Sequence, residues 1–224
     1  MYYTKKLMTK QKRIATLIAG ATLLFSLPGS SSQRLDEALN VTETEDTTET
    51  IEVVEVVEEP STTVTRWVGK NFSDTEARVL EFLQERGITD RAALATILGN
   101  IRQESLFQTN ICEGGARTGY HRCHSGGFGL IQWTTYGRYN GLGKFSTKHG
   151  LDPNSLDAQL RWMVNEREWR LVEHHWKTPG KDINGYMQSA YRWLGWGIHG
   201  ARTQYAHQYY GSLTQVQVEV PADT

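Results

Sequence analysis

The sequence has no surplus of positive charge. Its 24 Lys and Arg against 25 Asp and Glu leave a formal net charge of −1. That removes any general pull toward nucleic acid or anionic lipid. Cysteine is nearly missing too: Cys112 and Cys123 are the only two among 224 residues. Their spacing to each other and to His121 and His124 fits no standard zinc pattern. Past residue 33 there is no apolar run long enough to cross a membrane, no heptad repeat and no phosphate-binding glycine loop. Nothing therefore calls for a cofactor or a nucleic-acid partner, and a monomer is expected.

What is present divides along the chain. Residues 1–33 read as a signal peptide: Lys5, Lys6, Lys10, Lys12 and Arg13 precede the apolar run Ile14 to Leu27, then Pro28-Gly29-Ser30. That run is short for a span, which needs about 20 residues. An uncleaved N-terminal anchor through residues 14–27 is the alternative. Residues 34–66 read as an acidic, Glu/Thr-rich disordered linker, with no Lys or Arg over residues 36–59. A folded domain is expected over 67–212, with a flexible tail over 213–224.

The domain is expected to be mainly helical. Ser73-Asp74-Thr75-Glu76 has the capping-box pattern, followed by Ala77, Leu80 and Leu83 at helical spacing. Gly87 suits the end of that helix. Thr89 or Asp90 caps a second, with Leu94, Ile97, Leu98 and Ile101 as its stripe, ending around Glu104 to Phe107. Gly99 inside it lowers helix propensity and points to close packing against a neighbour. A long helix is expected from Ser155 through about Trp176, with Leu156, Leu160, Met163, Val164, Leu171 and Val172 inward. Another starts at Asp182 or Asn184, and a short last one spans Ala201 to Tyr210.

Glu104 stands out for its position on the second helix. At 100° per residue Ile97 falls about 20° from it, Ile101 about 60° and Asn100 about −40°. It lies on the edge of the apolar stripe, where loss of hydration raises a carboxyl pKa toward the range useful for proton donation. A surface Glu paired with Arg102 is the plainer reading of the same position.

Between the helical parts, Gly114, Gly115, Gly119, Gly126 and Gly127 imply turns and a small hairpin. Cys112 and Cys123 bracket this loop, and in an exported chain they read as a disulfide contributing roughly 2–3 kcal/mol. A metal site with His121 and His124 is the alternative. Gly127-Phe128-Gly129-Leu130-Ile131-Gln132-Trp133 follows. Glycines admit close backbone approach, and Gln with Trp offers an amide and a flat apolar face, a mixture that suits sugars. Trp133 by itself reads as well as a core residue.

Gly99-Asn100-Ile101-Arg102-Gln103-Glu104-Ser105-Leu106-Phe107 with Gly129-Leu130-Ile131-Gln132-Trp133 resembles the phage tail lysozyme domain, of the lysozyme-like superfamily. Arg138 matches an Arg of that pattern, and Asp157 to Glu168 is similar to its downstream Gln-Leu…Glu helix. Ala190 to Tyr210, with Arg202, is similar to its last segment. The likeness covers about residues 72–212. It implies an α+β lysozyme-like fold, with the Gly-rich loop or hairpin as one wall of a glycan cleft. It also implies cleavage of the β-1,4 bond between N-acetylmuramic acid and N-acetylglucosamine in peptidoglycan. Glu104 carries over as catalytic acid. Ser105, Gly129, Leu130, Ile131, Gln132, Trp133 and Arg138 carry over as the substrate-binding set.

Glycoside cleavage usually needs a second carboxylate, about 5–5.5 Å away for retention and about 6.5–9.5 Å for inversion. Glu113, nine residues on and beside Cys112, is the candidate, and Glu166 and Glu168 read as structural. Without a second carboxylate, a lytic transglycosylase using the muramic 6-hydroxyl is the expected alternative. A non-catalytic murein-binding module is the third reading. The signal and tether point to an extracytoplasmic enzyme, secreted, periplasmic or envelope-anchored, and set it apart from tail lysozymes within larger virion proteins.

Overall fold

The computed structural model describes residues 61–221 apart from residue 125. The expected signal, anchor and most of the linker lie outside the described residues. Among the described residues, no helix is long and apolar enough to cross a membrane.

Helix α2 (Arg91–Ser105) is the centre of the fold: residues 92–101 are all buried. Asp90 caps it, its carboxylate accepting from the Ala92 and Ala93 amides at 2.9 and 3.0 Å. Two of its buried polar side chains bond along the helix, Thr96 to the Ala92 carbonyl and Asn100 to the Thr96 carbonyl. Helix α1 (Asp74–Glu85) precedes it, with the anticipated capping box of Ser73 and Glu76 in place. Around α2 follow α3 (Tyr136–His149), α4 (Leu156–Asn165), α5 (Arg167–Arg170), α6 (Glu173–Lys177), α7 (Ile183–Leu194) and α8 (Arg202–Ser212). The mainly helical, lysozyme-like class is as expected.

Helices α2 and α8 meet at Gly99. A Cβ there would stand 2.4 Å from the Ala206 amide nitrogen, so the backbones can approach this closely only through glycine. Gly99→Ala is expected to destabilise the fold by roughly 1–3 kcal/mol through overpacking, despite the better helix propensity of alanine. A lower urea midpoint at unchanged slope would show it.

Two expectations are corrected. First, β1 (Ser61–Gly69) and β2 (Leu213–Pro221) pair antiparallel from Ser61↔Pro221 to Gly69↔Leu213. The end of the expected linker and most of the expected tail therefore form a ribbon. Alternating Val216, Val218 and Val220 supply its β-forming pattern. Gln84 of α1 clamps it, accepting from the Trp67 amide at 2.7 Å and donating to the Trp67 carbonyl at 2.9 Å. Second, the helix expected through Trp176 is three helices, and it breaks at Glu166, whose backbone is extended (φ −70°, ψ 157°). Leu171, expected inward, is 60% exposed. Helix α3, for which the sequence raises no expectation, has only Leu142 and Ser146 buried along it and so carries no strong apolar stripe.

The glycine-rich loop contains two isolated bridges, Ile111 with Arg117 and Cys112 with Phe128, in place of a regular hairpin. Cys112 and Cys123 form a disulfide with their Cα atoms 5.7 Å apart. The sulfurs are thereby taken from the alternative metal site.

Candidate active site

Glu104 sits in the last turn of α2, and α8 brings Arg202 to it. The guanidinium Nη2 lies 2.7 Å from the Glu104 carboxylate, with only 6% and 15% of the two side chains exposed. Arg202 is held from two further sides. It lies over the Trp196 ring at 4.5 Å and approaches the Asn100 side-chain oxygen at 3.4 Å. The plainer reading of Glu104, a partnership with Arg102, is not what forms: Arg102 lies over Tyr205 and reaches Gln208.

Two opposing effects set the acidity of Glu104. Burial favours its neutral form and pushes the pKa up; Arg202, by charge and hydrogen bond, and Arg138, by charge, pull it back. Burial wins. Burial likewise draws the Arg202 guanidinium down against the pull of Glu104. Removing Arg202 takes away the larger effect holding the Glu104 pKa down. If protonated Glu104 is the reacting form, Arg202→Met is therefore expected to move the alkaline limb of the rate–pH profile to higher pH. A limb that moves to lower pH would contradict this electrostatic account.

The second wall is the turn from Gly127 to Trp133, closed by reciprocal Phe128–Trp133 backbone bonds of 3.3 and 3.0 Å. Ser105, next to the acid, donates to the Leu130 carbonyl at 2.7 Å. From the other side Gln159 of α4 accepts from the Leu130 amide at 2.8 Å and donates to the Thr109 and Pro153 carbonyls. Gly129 (φ +71°) is required there, since a Cβ would meet the Gln159 amide at 2.6 Å. Gln132 takes φ +53° and donates to the Gly129 and Ile111 carbonyls at 3.0 and 3.4 Å. Leu106 and Phe107, just past the acid, also have positive φ (52° and 63°). Such strain persists only where surrounding structure enforces it, and it gathers at functional sites.

This geometry sorts the expected binding residues. Gly129, Gln132 and the turn's backbone are tied to α2 through Ser105, the residue after the acid. Ser105, Leu130, Ile131 and Trp133 are buried, so they hold the turn's shape and do not present side chains to a ligand. Trp133 is a core residue whose indole donates to Glu166 at 3.0 Å. Arg138 is not free either: its Nε and Nη2 grip the two Glu166 oxygens at 2.9 and 2.7 Å. Its charge nonetheless reaches Glu104. Glu166, 1% exposed, also accepts from the Trp193 indole.

Glu113, expected as the second carboxylate, is exposed and folded onto its own loop. It accepts from the Gly127 amide at 3.1 Å, and a Cβ at Gly126 would fall 1.8 Å from its Oε2. The charges acting on Glu104 are the cations Arg202 and Arg138. An apolar groove of about 670 Å³ between the ribbon and α1 is lined by Trp67, Phe72 and Val218 and does not include Glu104.

The family likeness marks Arg202 and the Gln159-Leu160…Glu segment as parts of a pattern but gives them no role, and Glu166 reads as structural. Their roles rest on partners far along the chain: Arg202 and Gln159 act across 98 and 29 residues.

The model of a family described as phage tail lysozyme matches residues 74–213. No curated protein and no solved structure matches the chain.

Proposed function

The chain belongs to the phage tail lysozyme family, and from that premise we propose that it is a murein-lytic muramidase with Glu104 as general acid. It acts on peptidoglycan outside the cytoplasm or from a virion, on the β-1,4 bond between N-acetylmuramic acid and N-acetylglucosamine. The observation that carries this reading is Glu104 itself: an enclosed carboxyl with raised proton affinity, between the strained turn after α2 and the Gly127–Trp133 turn. Protonated Glu104 gives its proton to the glycosidic oxygen as the C1–O4 bond breaks. Arg202, 2.7 Å away, then steadies the carboxylate left behind. Water adds to C1 and returns a proton to the site.

A second reading is favoured by one feature. Among the described residues, the charges that act on Glu104 are those of the cations Arg202 and Arg138. That suits a single-acid lytic transglycosylase, in which the muramic 6-hydroxyl attacks C1 and gives its proton to the Glu104 carboxylate. Mass spectrometry of digested murein separates the two. Reducing muramic ends are expected for the muramidase; products ending in 1,6-anhydromuramic acid would replace it with the transglycosylase.

A further inference from the structure

The segment between α7 and α8, Gly195-Trp196-Gly197-Ile198-His199-Gly200, carries no Lys, Arg, Asp or Glu and is fastened to the helix of the acid. Gln103, the residue before Glu104, accepts from the Ala201 amide at 2.9 Å. Gly200 (φ +60°) makes this seat possible, because a Cβ there would lie 2.8 Å from the Gln103 side chain. Trp196 is linked to the acid through one residue: its ring lies under the Arg202 guanidinium, which holds Glu104.

Around Trp196 the apolar surface is ordered and open. Tyr191 stands edge-on to its ring at 5.2 Å, and His199 does so at 5.9 Å. His199 is fixed in turn by Thr203 at 3.1 Å. Tyr191 is 55% exposed and Ile198 is 85% exposed. Side chains at Gly195 and Gly197 would meet nothing within 4 Å, so this backbone faces open space. Single exposed apolar residues need no explanation. Here Tyr191 packs on Trp196, with Ile198 exposed two residues on, and Trp196 and Ile198 belong to the segment fastened to the helix of the acid.

We propose that Tyr191, Trp196 and Ile198 form a sugar platform that seats a neutral N-acetylhexosamine residue of the glycan strand beside the bond cleaved by Glu104. The proposal rests on the murein-cleaving function proposed above. The apolar C–H face of a pyranose covers Tyr191 and Ile198, and the open glycine backbone offers peptide groups to hydroxyls and N-acetyl groups. The segment carries no charge of its own and the guanidinium on Trp196 is already paired with Glu104, which favours a sugar over an anionic ligand. The segment's attachment to Gln103 ties it to the helix of the acid.

The test uses soluble, uncrosslinked murein glycan strands as probe, titrated by tryptophan fluorescence into the full chain carrying Glu104→Gln. Tyr191→Ala and Ile198→Ser are both at exposed positions, and circular dichroism checks that each variant folds. Together they are expected to weaken strand binding by on the order of tenfold, as loss of about 1.4 kcal/mol of stacking and apolar contact would. In the Glu104 background the same pair is expected to raise KM more than it lowers kcat. Affinity equal to that of the parent, with the wild type cleaving murein, overturns the platform and leaves the function standing. A wild type that leaves murein intact overturns the function, and the assigned ligand with it.

Discussion

Glu104→Gln is expected to abolish murein lysis, lowering the rate by on the order of 10²–10⁴-fold, the usual worth of a general acid. The glutamine amide keeps the shape of the carboxyl group it replaces, and its carbonyl oxygen can still accept from Arg202. It has no proton to give to a leaving oxygen near neutral pH. Binding to sedimented murein should persist, which separates lost chemistry from a lost fold. The substitution also leaves Arg202 buried without its counter-charge, so some fall in melting temperature is expected as well. The decisive comparison is lysis at a temperature where circular dichroism shows the variant folded. Lysis there at the wild-type rate would remove Glu104 from the mechanism and leave the strained turns around it unexplained.

The features readable in the sequence are those made by near neighbours. Helix starts at Ser73, Asp90, Ser155 and Asp182 follow from side chains that accept from amides two or three residues on. The edge position of Glu104 and the close approach at Gly99 follow from helical periodicity. What escaped is set across long stretches of chain. Trp133 reads by itself as a core residue, and as a sugar platform through its neighbours and the family likeness; its anchor in the core, Glu166, lies 33 residues away. The break in the helix before Arg167 rests on the same residue. An extended backbone at Glu166 is what lets its carboxylate reach Arg138, Trp133 and Trp193 together. Strand β2 escaped because its partner lies up to 160 residues earlier, and a short Thr/Val alternation does not name its partner. Arg202 and Arg138 can be named from the family pattern, but nothing beside them in the chain says that their charges act on Glu104. The acid was legible, and the way it is tuned was not.

The largest loss of stability is expected from Glu166. Four hydrogen bonds converge on it: Trp133 and the Arg138 Nε on one oxygen, Trp193 and the Arg138 Nη2 on the other. Burial is the chief influence on its pKa and pushes it up; the Arg138 and indole hydrogen bonds and the Arg138 charge pull it back. Glu166→Gln sets an NH₂ group against two donors, and Glu166→Ala leaves a cavity, two indoles without partners and a partly enclosed cation whose remaining carboxylate, Glu168, is 4.0 Å away. Either is expected to cost about 3–5 kcal/mol, the range for breaking a buried ion pair. That corresponds to a fall in melting temperature on the order of 10 °C. Removing both charges tests the account more sharply. Glu166→Leu with Arg138→Leu avoids the stranded cation, so it should recover part of the loss, and the two orphaned indoles should prevent full recovery. The pH dependence supplies an independent check. Glu166 holds its proton more tightly when folded, so ionisation costs stability as pH rises from the ordinary value of 4.5 through the raised one. The double variant should lose that part of the decline. A double variant no more stable than Glu166→Ala, at every pH, would mean that the hydrogen bonds to the indoles, and not the ion pair, hold α5 against the turn that faces Glu104.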